Sequence, residues 1–132
     1  MKIGELARRT GVGIDAVRYY EREGLLPQAP RQASGYRVYV EDDIRRIHFV
    51  KRAKSLGFTL TEIRELLALS SRPEDDMGGL KAAAGEKLAD VEAKIAELVR
   101  IRDGLRTLIT ACPGHGALER CPILNALVEN QA

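Results

Sequence analysis

The sequence predicts a mainly α-helical chain in three parts. Residues 1–70 read as a winged helix-turn-helix domain, 71–111 as a linker and one long helix, and 112–132 as a loop with a short terminal helix. Three observations predict this. Short apolar stripes at helical spacing alternate with glycines in the front half. From Leu88 to Ile109 the apolar positions step alternately by three and four. Cys112 and Cys121 bracket a stretch rich in Pro and Gly.

Composition bounds the class. With 132 residues, 30% of them charged and 45% hydrophobic, this is one domain, or one small domain with an extension. Trp is absent, so the core is expected to be mainly aliphatic. No apolar run approaches the roughly 18 to 20 residues that a membrane span requires. Met1-Lys2-Ile3-Gly4-Glu5 lacks the pattern of a secretory signal, so the expected location is the cytoplasm. In that reducing compartment two cysteines are not expected to be a structural staple. Charge is uneven: residues 1–54 hold twelve Lys/Arg against seven Asp/Glu, and residues 55–132 hold nine against twelve. A basic front joined to a mildly acidic back fits a nucleic-acid-binding module with an appendage, although a basic patch is equally often a solvated face.

The first helix is expected from about Ile3, with Ile3, Leu6 and Ala7 on one face and Gly11 as its stop. A second runs from Ile14 to Glu23, with Ile14, Val17 and Tyr20 spaced by three. Gly24 ends it, and Leu25-Leu26-Pro27 leaves it extended. Two short helices around a Gly-containing turn form a helix-turn-helix pattern. Ser34-Gly35 then marks a turn, and Tyr36-Arg37-Val38-Tyr39-Val40 alternates as a short strand, so the pair reads as a wing.

Glu41-Asp42-Asp43 supplies a cap for a third helix to about Ser55, with Ile44, Ile47, His48 and Val50 as its inner face. Gly57 breaks it. Thr59-Leu60-Thr61-Glu62 is a capping box for a fourth helix with the stripe Ile63, Leu66, Leu67. A polar linker follows over residues 70–76. The long helix then runs to Ala111, its seam formed by Leu88, Val91, Ile95, Leu98, Arg102, Leu105 and Ile109. A rod of that length does not bury its seam inside a small monomer. Pairing with the same helix of a second chain is the expected solution, and folding back over its own domain is the alternative. Pro122 suits the first position of the last helix, which places Cys121 at its N-cap.

Several of these motifs resemble one family. Tyr19-Tyr20-Glu21-Arg22-Glu23-Gly24-Leu25-Leu26, Gly35-Tyr36-Arg37-Val38-Tyr39 and Leu56-Gly57-Phe58-Thr59-Leu60-Thr61-Glu62-Ile63 are similar to the DNA-binding domain of the MerR family of transcriptional regulators. The long helix and the Cys-loop-Cys-Pro-Ile-Leu tail resemble its metal-responsive branch. The resemblance implies a homodimer joined by an antiparallel coiled coil and bound to double-stranded promoter DNA. It implies repression without metal, and activation by spacer distortion that lets RNA polymerase engage both promoter elements.

Residue by residue, the resemblance assigns Arg18 to a base edge or a phosphate and Tyr20 to a phosphate, with Tyr36 and Arg37 as wing contacts to the backbone. Arg31 and Lys54 are expected as additional phosphate contacts. The bland alternative makes the tyrosines core aromatics and the arginines solvated. Asp15 stands near where some relatives carry a positive residue, which shifts operator preference or removes a contact.

Cys112 and Cys121 are the candidate metal ligands, because thiolates select soft ions and a helix N-terminus favours the thiolate. Two buried small side chains or a redox pair are the alternatives. Two thiolates alone suit linear coordination of Cu(I), Ag(I) or Au(I). Relatives that sense divalent ions add a cysteine, from the other subunit, at a place that falls near Met77. Relatives sensing monovalent ions hold a non-ligating residue there, often Ser, so Met77 departs from both. His115, three residues after Cys112, is a candidate third ligand for Zn(II). The eight-residue gap also resembles that of some divalent sensors, so Zn(II), Cd(II) and Hg(II) stay open beside the monovalent reading. A metal-free thiol sensor is a further alternative. Catalysis has no support, since no acid/base pair, phosphate-binding loop or activated nucleophile is present.

Overall fold

The computed structural model describes residues 1–33, 35–71 and 77–129. Its elements are α1 (Ile3–Thr10), α2 (Ile14–Arg22), α3 (Glu41–Ser55), α4 (Leu60–Ser70), α5 (Met77–Ala111), a 3-10 turn (Leu118–Arg120) and α6 (Pro122–Val128). They form two compact units, Met1–Lys87 and Leu88–Ala132. The expected linker residues 72–76 and the expected turn residue Ser34 lie outside the described residues.

The front unit folds around the predicted aliphatic stripes. Leu6 of α1, Val17 of α2, Ile47 and Val50 of α3 and Ile63 of α4 are all buried, with Leu25, Leu26 and Tyr39 between them. Burying each such side chain contributes about 1.5–3 kcal/mol before chain entropy is charged against it. Gly11 closes α1 at φ 74°, in the left-handed region. The Lys51 ammonium donates to the Thr10 carbonyl at 2.8 Å and ties α3 to the end of α1. Thr59 and Glu62 form the expected capping box: the Glu62 N–H donates to Thr59 Oγ1 at 3.2 Å, and the Thr59 N–H to Glu62 Oε1 at 2.8 Å. Leu80 and Ala83 of α5 pack against this core.

Three expectations are corrected. No strand forms at Tyr36–Val40 among the described residues; Arg31 and Arg37 make an isolated antiparallel bridge. The ladder stops there because the backbone of Tyr39 is taken elsewhere. Its N–H donates to the Met1 carbonyl and its carbonyl accepts from the Met1 ammonium, both at 2.7 Å. The cap of α3 is Val40, not an acidic residue. Asp43 serves it by accepting the Val40 N–H at 2.9 Å, half of a capping box, since valine has no side-chain acceptor. His48 is exposed and does not belong to the inner face of α3.

In the second unit, α5 continues to Ala111 without a buried residue. At about 1.5 Å per residue, its 35 residues reach about 50 Å. Its apolar seam lies open: Leu98 is 63% exposed and Ile109 66%. Together with Ile95, Val99, Ile101 and Leu105 these side chains line an apolar groove. Gly114 (φ 83°) and Gly116 (φ 114°) turn the chain from the end of α5 back towards α6.

Candidate nucleic-acid interface and thiol site

The turn between α1 and α2 presents one face of α2 to solvent. Val17, Tyr20 and Glu21 point inwards, while Arg18 and Arg22 are exposed. The loop after α2 folds across this face. Its Arg31–Arg37 bridge is reinforced by the Arg31 guanidinium on the Gly35 carbonyl at 3.2 Å and the Arg37 guanidinium on the Ala29 carbonyl at 3.1 Å. Together α1, α2 and the loop enclose a cleft of about 650 Å³.

Arg18, Arg31, Tyr36 and Arg37, four of the six candidate contacts, line that cleft. Lys2 and Arg8 join them and were not singled out from the sequence. The Lys2 ammonium stands 4.5 Å from the centroid of the Tyr36 ring, which fixes an exposed ring beside a cation. Five cations against Glu5 and Glu21 make a surface suited to a polyanion. Tyr20 and Lys54 are placed differently. Tyr20 is 5% exposed and its ring is part of the core, with the Lys54 ammonium 6.0 Å from its centroid. Asp15 is exposed in the first turn of α2.

Glu21 is the other residue that sequence reasoning passed over. Its carboxylate accepts the Tyr39 hydroxyl through Oε1. Burial, followed by this hydrogen bond and the negative charge behind it, pushes the Tyr39 hydroxyl well above its ordinary range. The available signal was helical spacing: Val17, Tyr20 and Glu21 fall on one stripe, which puts a carboxylate on the inner face.

The second site is built by the turn between α5 and α6. Cys112 follows the last residue of α5, and its N–H still donates to the Leu108 carbonyl at 3.2 Å. Cys121 is the N-cap of α6, with Pro122 as the first helical residue. Both thiols are free and half-buried. The Leu124 N–H lowers the pKa of the Cys121 thiol, helped by the Ile123 N–H and the Cys112 side chain and opposed by partial burial. The two sulfurs therefore share one small site, a pocket of about 430 Å³.

His115 also lines that pocket, but its Nδ1 lies 3.2 Å from the Pro113 carbonyl and its side chain is exposed. Among the described residues no three His, Cys, Asp or Glu side chains gather into a metal-holding group. Met77 is 86% exposed. The two thiols, one of them biased towards the thiolate, are a pair of donors that would fit a soft ion better than a hard one.

Comparison with known proteins places the chain in a family. Residues 1–70 match the family described as MerR HTH family regulatory protein, and residues 44–108 match the one described as MerR, DNA binding. The chain is 40% identical over 128 residues to the mercuric resistance operon regulatory protein of Bacillus cereus, covering 97% of each. It is 37% identical to heavy metal-dependent transcription regulator 2 of Rhizobium meliloti, covering 100% of this chain and 89% of that one. Among solved structures, the transcription regulator PbrR691 of Ralstonia metallidurans in complex with lead(II) superposes with a TM-score of 0.86 at 37% identity, covering 96% of this chain and 98% of that chain. Similar to these regulators along nearly its whole length, the chain belongs to the MerR family of helix-turn-helix transcriptional regulators, and is a DNA-binding regulator and not an enzyme.

Proposed function

We propose that the chain is a metal-responsive regulator whose inducer is a soft ion held by Cys112 and Cys121, with Cu(I), Ag(I) or Au(I) favoured. The observation that carries this reading is the thiol pair itself: the free thiols of Cys112 and Cys121 line one pocket, and the Cys121 thiolate is favoured by the α6 N–H groups and by the Cys112 side chain. A two-sulfur site, with no third donor gathered beside it among the described residues, matches the two-coordinate preference of a monovalent soft ion.

Two chains pair through the open α5 seam, and each cleft takes one half of a pseudo-palindromic operator. Arg18, Arg31, Tyr36 and Arg37 meet the DNA from the cleft, with Lys54 and the Tyr20 hydroxyl as further phosphate contacts. Without metal the dimer represses; with metal it distorts the promoter so that RNA polymerase engages it. The coupling is a ligand-driven shift between two states, so the ion binds the activating state more tightly than the repressing one.

One observation favours a divalent ion instead. The similar proteins include a mercuric resistance regulator and a structure in complex with lead(II). In that reading His115 adds a nitrogen to the two thiols.

Transcription from the chain's own promoter separates the readings. Cu(I), Ag(I), Zn(II), Cd(II) and Hg(II) are supplied under reducing conditions to wild type, Cys112→Ser, Cys121→Ser and His115→Ala. Induction by Cu(I) or Ag(I), lost in both cysteine variants and kept in His115→Ala, is the expected result. Induction by a divalent ion alone overturns the choice of metal, and its loss in His115→Ala makes that residue a ligand. Silence towards every metal sinks metal sensing.

A further inference from the structure

Every polar group of the reading cleft so far described either faces solvent or has a partner, with one exception. Glu21 is buried, and its Oε2 has no hydrogen-bond partner among the described residues. A buried, half-satisfied carboxylate is costly, so the charge needs a reason to be retained. The nearest cation is Arg37, whose Nη1 lies 3.7 Å from Oε2. That is ion-pair reach but too long for a hydrogen bond. The same Nη1 donates to the Ala29 carbonyl. The guanidinium is therefore held by one carbonyl and one buried charge, and 30% of its side chain stays exposed to the cleft. Through Oε1 the same carboxylate holds Tyr39, at the end of the loop that carries Arg37.

We propose that Glu21 is a positioning residue for DNA recognition: its buried carboxylate holds the Arg37 guanidinium in the cleft that Arg18 also lines, and so sets the loop in register with α2. The inference rests on the reading of the cleft as the DNA interface. Glu21 touches no DNA itself. Its charge orients a cation whose free N–H groups meet a phosphate, and its place on α2 makes the helix and the loop one rigid reading head. A neutral residue of the same shape keeps the bond to Tyr39 and loses only the hold on Arg37.

The test is a double-mutant cycle on the full-length chain, with operator binding measured as a function of salt. Glu21→Gln keeps an acceptor for the Tyr39 hydroxyl and removes the charge. The expected result is operator affinity weaker by about tenfold, with a salt slope lower by about one per chain, the signature of a lost phosphate contact. Metal binding and thermal midpoint stay near wild type. Arg37→Gln gives the same loss, and the double variant is no worse than either single one. Additive losses overturn the proposal, because Glu21 and Arg37 then act independently. So does a weaker affinity at unchanged salt slope, which marks Glu21 as scaffolding alone. If Arg37→Gln binds operator like wild type, Arg37 is no contact and has nothing to be positioned for. If Arg18→Ala and Arg31→Ala also bind normally, the reading of the cleft fails as a whole. Should Glu21→Gln unfold the chain, Glu21→Asp is run in a Tyr39→Phe background, where no bond to Tyr39 is left to lose, and the same outcomes decide.

Discussion

The Lys87 ammonium lies 2.7 Å from Glu62 Oε1, the same oxygen that accepts the Thr59 N–H at the start of α4. The same ammonium stands 5.6 Å from the centroid of the Phe58 ring. A single carboxylate thus serves both as the capping box of α4 and as the anchor for α5, at the last residue of the front unit. Hydrogen bonding by Lys87, then by the Thr59 backbone, holds the Glu62 carboxyl at about 2, below its ordinary 4.5. A folded-state pKa below the unfolded one adds stability that is complete above the unfolded value and is lost as pH falls through the folded one. The window is therefore about pH 4.5 down to 2. Lys87→Met keeps an unbranched side chain and removes the charge. We expect the thermal midpoint of the variant to lose part of its dependence on pH across that window, and the Glu62 carboxyl, followed by NMR, to titrate closer to 4.5.

Two glycines are expected to respond to alanine with opposite signs. Gly11 has φ 74°, and a Cβ there would meet the Lys51 ammonium at 3.4 Å. Gly11→Ala is expected to lower stability by about 1–2 kcal/mol, the cost of a side chain in left-handed backbone. Gly85 lies inside α5 with nothing near its missing Cβ. Gly85→Ala is expected to raise stability by up to about 1 kcal/mol through helix propensity. Denaturant unfolding of both variants checks the pair.

Much of this fold was legible because helices announce themselves locally. Leu6, Val17, Ile47 and Ile63 mark inner faces by spacing, and the box at Thr59 and Glu62 is a four-residue signal. The wing was less legible. Residues 36–40 alternate like a strand, yet Tyr39 gives its backbone to Met1, a partner 38 positions away that no local pattern reveals. The same limit hid Glu21, whose role depends on Tyr39, 18 positions on. His48 failed for another reason: an apolar stripe has edges, and one residue of rotation separates the inner face of α3 from solvent. The thiol site lay at the favourable extreme, since the loop between Cys112 and Cys121 is short and both flanking helix ends were marked by glycine and proline.

Tyr20 separates packing from recognition. Its ring is in the core, so Tyr20→Ala is expected to cost about 3–5 kcal/mol of stability. Tyr20→Phe keeps the ring and deletes the hydroxyl. If that hydroxyl meets a phosphate, the Phe variant keeps its fold by circular dichroism and binds operator less tightly with a lower salt slope. Unchanged operator binding removes Tyr20 from the proposed interface and leaves Arg18, Arg31, Tyr36, Arg37 and Lys54 as the proposed contacts.

The open seam of α5 makes the last prediction. Leu98 and Leu105 stand 63% and 54% exposed on one groove, and Arg102 lies between them as its polar position. An apolar row this long is stable in water only when another surface covers it. If a second α5 covers it, Leu98→Glu places a charge opposite an apolar partner, and the dimer dissociates. Sedimentation should then report a single chain at micromolar concentration, where wild type reports two. Operator affinity should fall by more than any one cleft variant produces, because a single cleft holds only one half-site. The thiol pair lies beyond the seam at the end of α5, so a monomer that still takes up a soft ion shows that coverage of the seam and metal binding are separable. Arg102→Leu should act in the opposite direction and tighten the dimer by removing the polar break in the seam. A Leu98→Glu chain that remains a dimer would show that a different surface holds the two copies together.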